Sequence, residues 1–133
     1  FGPDVVIGLM ANDGTIQTGI YGRKAKSMKL AMVVPDKEHQ AMVMEAIYGE
    51  KGVKAGYTDG YCKEVLLKAA EHLVKDKGAQ ALILGCTELP LILEETDNLK
   101  LGDGHAAIVD PTSSLARRVV KVAGEITKIR GVR

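Results

Sequence analysis

Apolar and polar positions along the chain fall into two alternating registers. Four short, nearly continuous apolar runs stand at Val5–Met10, Leu30–Val34, Ala81–Leu84 and Ala106–Val109. Runs of that length, rich in Val, Ile, Leu, Ala and Met, are the pattern of parallel strands covered on both faces. Between them the period changes to that of a helix. Within Cys62–Lys77, Val65, Leu66, Ala69, Ala70, Leu73 and Val74 form one stripe. Lys63, Glu64, Lys68, Glu71 and Lys75 take the other side, and Gly78 supplies a stop. Asp36–Gly49 and Thr112–Ile129 repeat the pattern, the latter opened by Asp110-Pro111-Thr112 with proline in the first turn. This rhythm predicts a three-layer α/β/α domain built on a mostly parallel, four-stranded sheet with right-handed crossovers.

Composition narrows the function without naming it. A chain of 133 residues is one ordinary domain, and 46% hydrophobic content supplies a core and excludes disorder. Lys and Arg (18) nearly balance Asp and Glu (17), so no field gathers nucleic acid or anionic membrane. One Phe, four Tyr and no Trp offer no platform for stacking bases. No apolar stretch approaches the roughly 20 residues that span a bilayer, and no signal-peptide pattern opens the chain. Two cysteines, Cys62 and Cys86, make no disulfide framework, and a cytoplasmic location is the expectation. The chain starts at Phe1 and enters a strand pattern within a few residues, which reads as a piece of a longer polypeptide.

In parallel sheets ligands sit beyond the carboxyl ends of the strands. Those ends read Ala11-Asn12-Asp13-Gly14-Thr15, Pro35-Asp36-Lys37, Gly85-Cys86-Thr87-Glu88 and Asp110-Pro111-Thr112. A short helix over Glu88–Glu95, with Thr87 as its N-cap and Pro90 in its first turn, is expected after Cys86. A thiol facing the crevice and the positive end of that helix is expected to fall below the usual pKa of about 8.5. Gly85 is expected to leave space for a substrate. A strand-end cysteine serves equally well as small apolar filling, and position alone leaves both readings open.

Other residues have plainer explanations. Asp13-Gly14-Thr15 reads as an Asx turn with a cap. Lys54 reads as a solvated loop lysine, and Arg23, Lys24, Lys26 and Lys29 as wet surface. Cys62 reads as half-buried packing at the start of a helix. Gly8 to Gly14-Thr15 is one residue too long for a phosphate loop and lacks its lysine. Gly102-Asp103-Gly104-His105-Ala106-Ala107 matches a dinucleotide fingerprint by letter but precedes a strand. His39, His72, His105 and the two cysteines show no metal-ligand spacing, so no metal is expected.

Taken together, the pieces resemble the aspartate/glutamate racemase family, cofactor-independent enzymes that invert an amino-acid α-carbon with two cysteines. The resembling stretches are Gly8–Ile16, Ile47-Tyr48-Gly49, Gly52-Val53-Lys54-Ala55-Gly56, Gly85-Cys86-Thr87-Glu88-Leu89-Pro90-Leu91 and Asp110-Pro111-Thr112, in family order. The Gly-Cys-Thr-Glu-Leu-Pro segment is the most specific. It resembles the aspartate branch, since glutamate racemases tend to carry histidine where Glu88 stands. Asn12 stands where family members often have threonine, and Thr18 where they often have serine.

The resemblance implies that Cys86 is the second catalytic cysteine, with Glu88 beside it influencing its protonation. It implies that Thr87 helps to hold the substrate, that Thr15 meets its α-carboxylate or ammonium with Asn12 nearby, and that Lys54 meets a distal carboxylate. It implies one half of a two-domain, pseudo-symmetric fold, no cofactor, a small acidic amino acid as substrate, and a homodimer. The family's first cysteine, followed by Asn-Thr, does not occur here, so the resemblance covers only the C-terminal part and implies that this piece alone is inactive. It also implies a division into residues 1–111, carrying Cys86, and a helix within 112–133 that packs on the N-terminal domain. A non-catalytic amino-acid-binding module, a hydantoin racemase and a maleate isomerase are the alternatives.

Overall fold

A computed structural model describes residues 2–131, so Phe1, Val132 and Arg133 at the ends of the expected division lie outside the described residues. The strands are β1 (Val6–Met10), β2 (Ala31–Val33), β3 (Ala81–Leu84), β4 (Thr96–Leu101) and β5 (Gly104–Val109). They form one sheet in the order β2-β1-β3-β5-β4, parallel except for β4, which runs antiparallel to β5. The sheet therefore has five strands where the apolar runs predict four. β4 reads Thr-Asp-Asn-Leu-Lys-Leu, with one side chain buried, and a register shift between Thr96 and Leu99 breaks its alternation. An edge strand of this kind is mostly wet and carries no apolar run to announce it. Its signal was the Gly102-Asp103 turn, where Gly102 takes φ +60° and lets the chain double back.

The helices are α1 (Asp13–Thr18), α2 (Ile20–Ser27), α3 (Lys37–Tyr48), α4 (Tyr61–Lys75) and α5 (Pro111–Ile129). Gly19, at φ +66°, is the hinge that divides α1 from α2. Asp36 caps α3 by accepting the His39 N–H at 2.9 Å, as its place before the periodic stretch implies. The apolar stripe of α4 lies inward, with Val65, Leu66, Ala69, Ala70 and Leu73 all buried. Together with Val43, Ala46 and Ile47 of α3 it packs on Met10, Leu82, Leu84 and Ile108 of the sheet. Gly8 makes this close approach possible, because a Cβ there would meet Leu82 Cδ2 at 2.6 Å and Leu73 Cδ1 at 3.2 Å.

The opposite face is covered less completely. α2 leans on β2, and Leu9, Ala81 and Ala107 are buried, but Ile7, Ile83 and Val109 remain half-buried. α5 buries none of its residues. Its apolar stripe stays open to solvent, with Leu115 64% and Val120 71% exposed. α5 is held at its start, where Asp110 accepts from the Thr112 N–H at 3.0 Å and the Ser113 hydroxyl at 2.7 Å. A two-pronged pair between Arg117 and Glu95, at 2.7 and 3.0 Å, fixes the next turn. Among the described residues no helix is long and apolar enough to cross a membrane.

Leu82 is fully buried in β3 and lies against Gly8 under α4. Leu82→Ala is expected to cost about 2–5 kcal/mol of unfolding free energy. Urea denaturation followed by circular dichroism checks it; a loss well under 1 kcal/mol would show that the α4 face does not carry the fold.

Candidate functional site

The carboxyl ends of β1 and β3 lie side by side, joined by the Gly85 N–H donating to the Met10 carbonyl at 2.7 Å. Gly85 is required for that approach, since a Cβ would stand 2.7 Å from Leu9 Cδ1 and 3.0 Å from Ala11 Cβ. The space expected for a substrate beside Gly85 is thus occupied by packing against β1. One residue on, Cys86 leaves the sheet and its thiol turns toward Glu88.

The helix expected over Glu88–Glu95 is a single 3₁₀ turn, Leu89–Leu91, and Glu88, not Thr87, occupies its N-cap position without a side-chain cap bond. One turn has almost no macrodipole, so the expected source of thiol acidity is absent. Leu89, buried in the core, anchors the turn, while Pro90 sits at its start. What the turn achieves is to place three side chains together. The Cys86 thiol donates to Glu88 Oε2 at 2.8 Å, and the Thr87 hydroxyl donates to the same oxygen at 3.0 Å. Lys54 Nζ lies 3.3 Å from the other oxygen, Oε1.

Lys54 reaches this position because its loop is shaped by glycines. Gly52 packs against the carbonyls of Glu45 and Ala46, where a Cβ would come within 2.9 and 3.0 Å. Val53 is buried, and Gly56 ends the short turn Val53–Ala55 at φ +97°. Lys54 is therefore no free loop lysine. Its ammonium also stands over the Tyr48 ring, 5.3 Å from the centroid, a distance suited to cation–π attraction.

Tyr48 joins the two strand ends. Its hydroxyl accepts from Asn12 Nδ2 at 3.3 Å, so Asn12 connects through Tyr48 and Lys54 to Glu88. Asn12 also caps α1, its Oδ1 accepting the Thr15 N–H at 2.8 Å. Gln40 holds the same loop from α3, donating to the Ala11 carbonyl and to Asp13 Oδ1, each at 2.9 Å. Thr15 is placed by Asn12 but lines a groove with Leu9, Ile16 and Tyr21 on the α2 side. Cys86, Thr87, Glu88, Lys54 and Asn12 thus form one connected group, with Thr15 attached to it through the backbone. Sequence reasoning gave Tyr48 and Gln40 no role. Tyr48 had a signal, an aromatic residue at a helix end before Gly49 within a family-like stretch; Gln40 had none.

The electrostatics follow from the contacts. The Cys86 thiol and the Thr87 hydroxyl, both donating to Glu88, and the Lys54 ammonium together hold the Glu88 carboxyl down to about 2. Burial pushes the Cys86 thiol up, and the carboxylate that accepts its proton pushes it further. The Glu88 N–H and the Lys54 charge oppose that rise without cancelling it. This reverses the expectation of an acidified thiol: Cys86 is 9% exposed beside an anion, with no helix dipole to offset either. Cys62, expected to be half-buried, is fully buried, and its thiol donates to the Asp59 carbonyl at 3.3 Å.

Known proteins share this arrangement of elements. The family model for Asp/Glu/hydantoin racemases matches residues 4–119. The chain belongs to that family. It is 32% identical over 117 residues to an uncharacterised protein from the pnlA 3′ region of Pectobacterium carotovorum, covering 86% of this chain and 71% of that protein. The crystal structure of an aspartate racemase homologue from Pyrococcus horikoshii superposes with a TM-score of 0.71 at 25% identity, covering 90% of this chain and 48% of that one. An aspartate racemase from Picrophilus torridus gives a TM-score of 0.59 at 27% identity, covering 91% of this chain and 46% of that one. This racemase-family chain thus spans about half the length of the solved relatives it matches.

Two substitutions are expected to move the Cys86 thiol in opposite directions. Glu88→Gln removes the anion that favours the protonated sulfur, so the thiol pKa falls; Lys54→Ala removes an opposing cation, so it rises. Alkylation of Cys86 by iodoacetamide against pH, resolved from Cys62 by peptide mass spectrometry, measures both. A shift in the same direction for the two variants would refute the assignment. Glu88 titrates lower in the fold than its ordinary 4.5, so its contribution to stability is complete above that pH and vanishes as pH falls through about 2. The acid limb of the unfolding curve is accordingly expected to flatten in Glu88→Gln.

Proposed function

We propose that the protein carrying this chain inverts the α-carbon of a small acidic amino acid, aspartate or a close analogue, by two-base proton transfer without a cofactor. Cys86 is one of the two acid–base groups. The observation that carries this reading is the Cys86–Glu88–Lys54 group at the adjoining ends of β1 and β3, where a thiol donates at 2.8 Å to a carboxylate paired with an ammonium 3.3 Å away.

Inversion through a carbanion needs a base on one face of the α-carbon and an acid on the other. A thiol whose proton is favoured by burial and by a neighbouring carboxylate rests in the acid form at neutral pH. Cys86 then delivers a proton to the carbanion face turned toward β3, its S–H turning from Glu88 Oε2 to the carbon. In the opposite direction Cys86 must take the α-proton, and the substrate ammonium close to sulfur supplies the positive charge that favours thiolate. Backbone N–H groups of the turn after Cys86 and the Thr87 hydroxyl stabilise the enolate-like charge that develops at the α-carboxylate. Asn12 holds that carboxylate from the β1 side, with Thr15 acting through the α1 turn that Asn12 caps, and Lys54, 47% exposed beyond Glu88, has room to share its charge with a distal carboxylate.

The opposing acid–base group lies outside the described site. Cys62 is enclosed in the core with its thiol committed to Asp59, which argues against it as the partner. The site is therefore completed by a second half, and the open stripe of α5 together with the half-covered sheet face offers that half a place to dock. The two halves make one catalytic unit, and this chain alone is expected to be inactive.

The test uses the complete polypeptide with D- and L-aspartate in deuterated water. Wild type is expected to exchange the α-proton and racemise both enantiomers, and Cys86→Ser to lose at least about a hundredfold, the usual contribution of a positioned acid–base group. Racemisation at the wild-type rate by Cys86→Ser sinks the proposal, and saturable aspartate binding with no α-proton exchange in wild type identifies a binding module instead.

A further inference from the structure

The fold gathers three metal-ligating side chains whose spacing in the chain gives no hint of it. Asp36 stands at the N-cap of α3, His39 one turn further on, and His72 in the last turn of α4. One ligand atom from each lies within 4.8 Å of the other two. His39 Nδ1 is 2.6 Å from Asp36 Oδ1, and His72 Nε2 is 3.7 Å from Asp36 Oδ2. The His72 side chain is only 5% exposed and has little freedom to turn. Its Nδ1 lies 2.7 Å from Asp76 Oδ2, and the Asp36 N–H donates to its Nε2 at 3.3 Å. These two contacts fix the tautomer, with the proton on Nδ1 and the lone pair on Nε2, where a bound ion would take the place of the long Asp36 N–H contact. A carboxylate behind an imidazole in this way orients the ring and raises the basicity of its free nitrogen, as in metal sites.

We propose that Asp36, His39 and His72 bind one divalent transition-metal ion of the zinc type. The ligands are His72 Nε2, His39 Nδ1 and one Asp36 carboxylate oxygen, with Asp76 orienting His72. Two imidazoles and a carboxylate suit zinc or cobalt and discriminate against calcium and magnesium, which prefer oxygen alone. Bonds of about 2.0–2.2 Å in tetrahedral geometry set ligand atoms roughly 3.3 Å apart. The His39 contact is to Oδ1 and the His72 contact to Oδ2, so the exposed carboxylate turns to present one oxygen to the ion as the 2.6 Å contact opens. The His39 and His72 rings are stacked, with centroids 3.9 Å apart and planes within 4°. Parallel rings cannot both aim at a common ion, so one must tilt. His39 is the one free to do so, because it lies on the solvent side of the pair, 23% exposed. The fourth position opens onto a shallow surface hollow lined by Met42, Lys68, Glu71 and Lys75, where water completes the shell.

The ion joins the start of α3 to the end of α4, the two helices that cover the better-packed face of the sheet. It shares no ligand with the Cys86 group, so it acts as a clamp on the scaffold and takes no part in proton transfer. Calorimetric titration of the metal-free chain with zinc is expected to give one saturable site, and zinc to raise the thermal unfolding midpoint. Cobalt is expected to give a nitrogen/oxygen ligand-field spectrum without a thiolate charge-transfer band, which distinguishes this site from Cys62 or Cys86. Asp76→Ala is expected to weaken binding about 10–100-fold through loss of the orienting carboxylate. His39→Ala is expected to weaken it at least as much, as is Asp36→Ser, which keeps a capping hydroxyl while removing the ligand. Circular dichroism establishes that each variant is folded. No saturable uptake, a thiolate band with cobalt, or unchanged affinity in folded His39→Ala and Asp36→Ser would overturn the proposal.

Discussion

Two hydrogen bonds converging on Glu88 Oε2, from the Cys86 thiol and the Thr87 hydroxyl, and the Lys54 ammonium 3.3 Å from Oε1 together set the charge state of the strand-end group. With all three in place, Glu88 stays ionised far below the usual carboxylate range. An ionised Glu88 then keeps the proton on the Cys86 sulfur. As a source of stability the ion pair is small, because water screens charges this exposed. Its importance lies in protonation. The glycine-shaped loop at 52–56 and the buried Val53 place Lys54 beside Glu88.

The α/β class and the helix stripes were legible because burial on two faces leaves continuous apolar runs and burial on one leaves a period of 3.6 residues. Val65, Leu66, Ala69, Ala70 and Leu73 announce α4 for that reason. β4 escaped because an edge strand with one buried side chain needs no such run. Cys86 and Glu88 were legible as neighbours two residues apart, and family motifs pointed to Lys54 and Asn12. The sign of the thiol shift was not legible. It depends on whether the segment after Cys86 forms a helix with a dipole or one 3₁₀ turn, and on where the carboxylate points; Glu88 satisfies its residue-type pattern in either case. Convergence of Asp36, His39 and His72 escaped for a plainer reason, since His39 and His72 come from different helices and meet only when α3 packs on α4.

The two faces of the sheet are finished to different standards, and the difference has a physical cost. The α3/α4 face is sealed by large aliphatic side chains, with Gly8 letting the helix approach the strand. The other carries half-buried Ile7, Ile83 and Val109, and near it α5 presents a row of apolar side chains to water. Contiguous apolar surface of this kind is uncommon on a finished soluble surface and marks an interface. On the proposed function, this apolar surface beside the strand-end group is where a second half of the catalytic unit docks.

On the proposed mechanism, a raised thiol pKa is at first sight the wrong adjustment for a base that must remove an α-proton. The adjustment makes sense when the two directions of an inversion are considered together. Raising the pKa lowers the population of thiolate, yet each thiolate that forms is a stronger base, so the two effects partly offset. For the acid role the proton must be present, and a carboxylate that accepts the S–H keeps it on sulfur until the S–H turns from Oε2 to the carbanion. The anion that opposes thiolate in the empty site becomes less of an obstacle once a substrate brings its own ammonium and shares Lys54. On the proposed mechanism Glu88 therefore sets the resting state of Cys86 as proton-loaded, and the substrate's own charge releases it to act as a base.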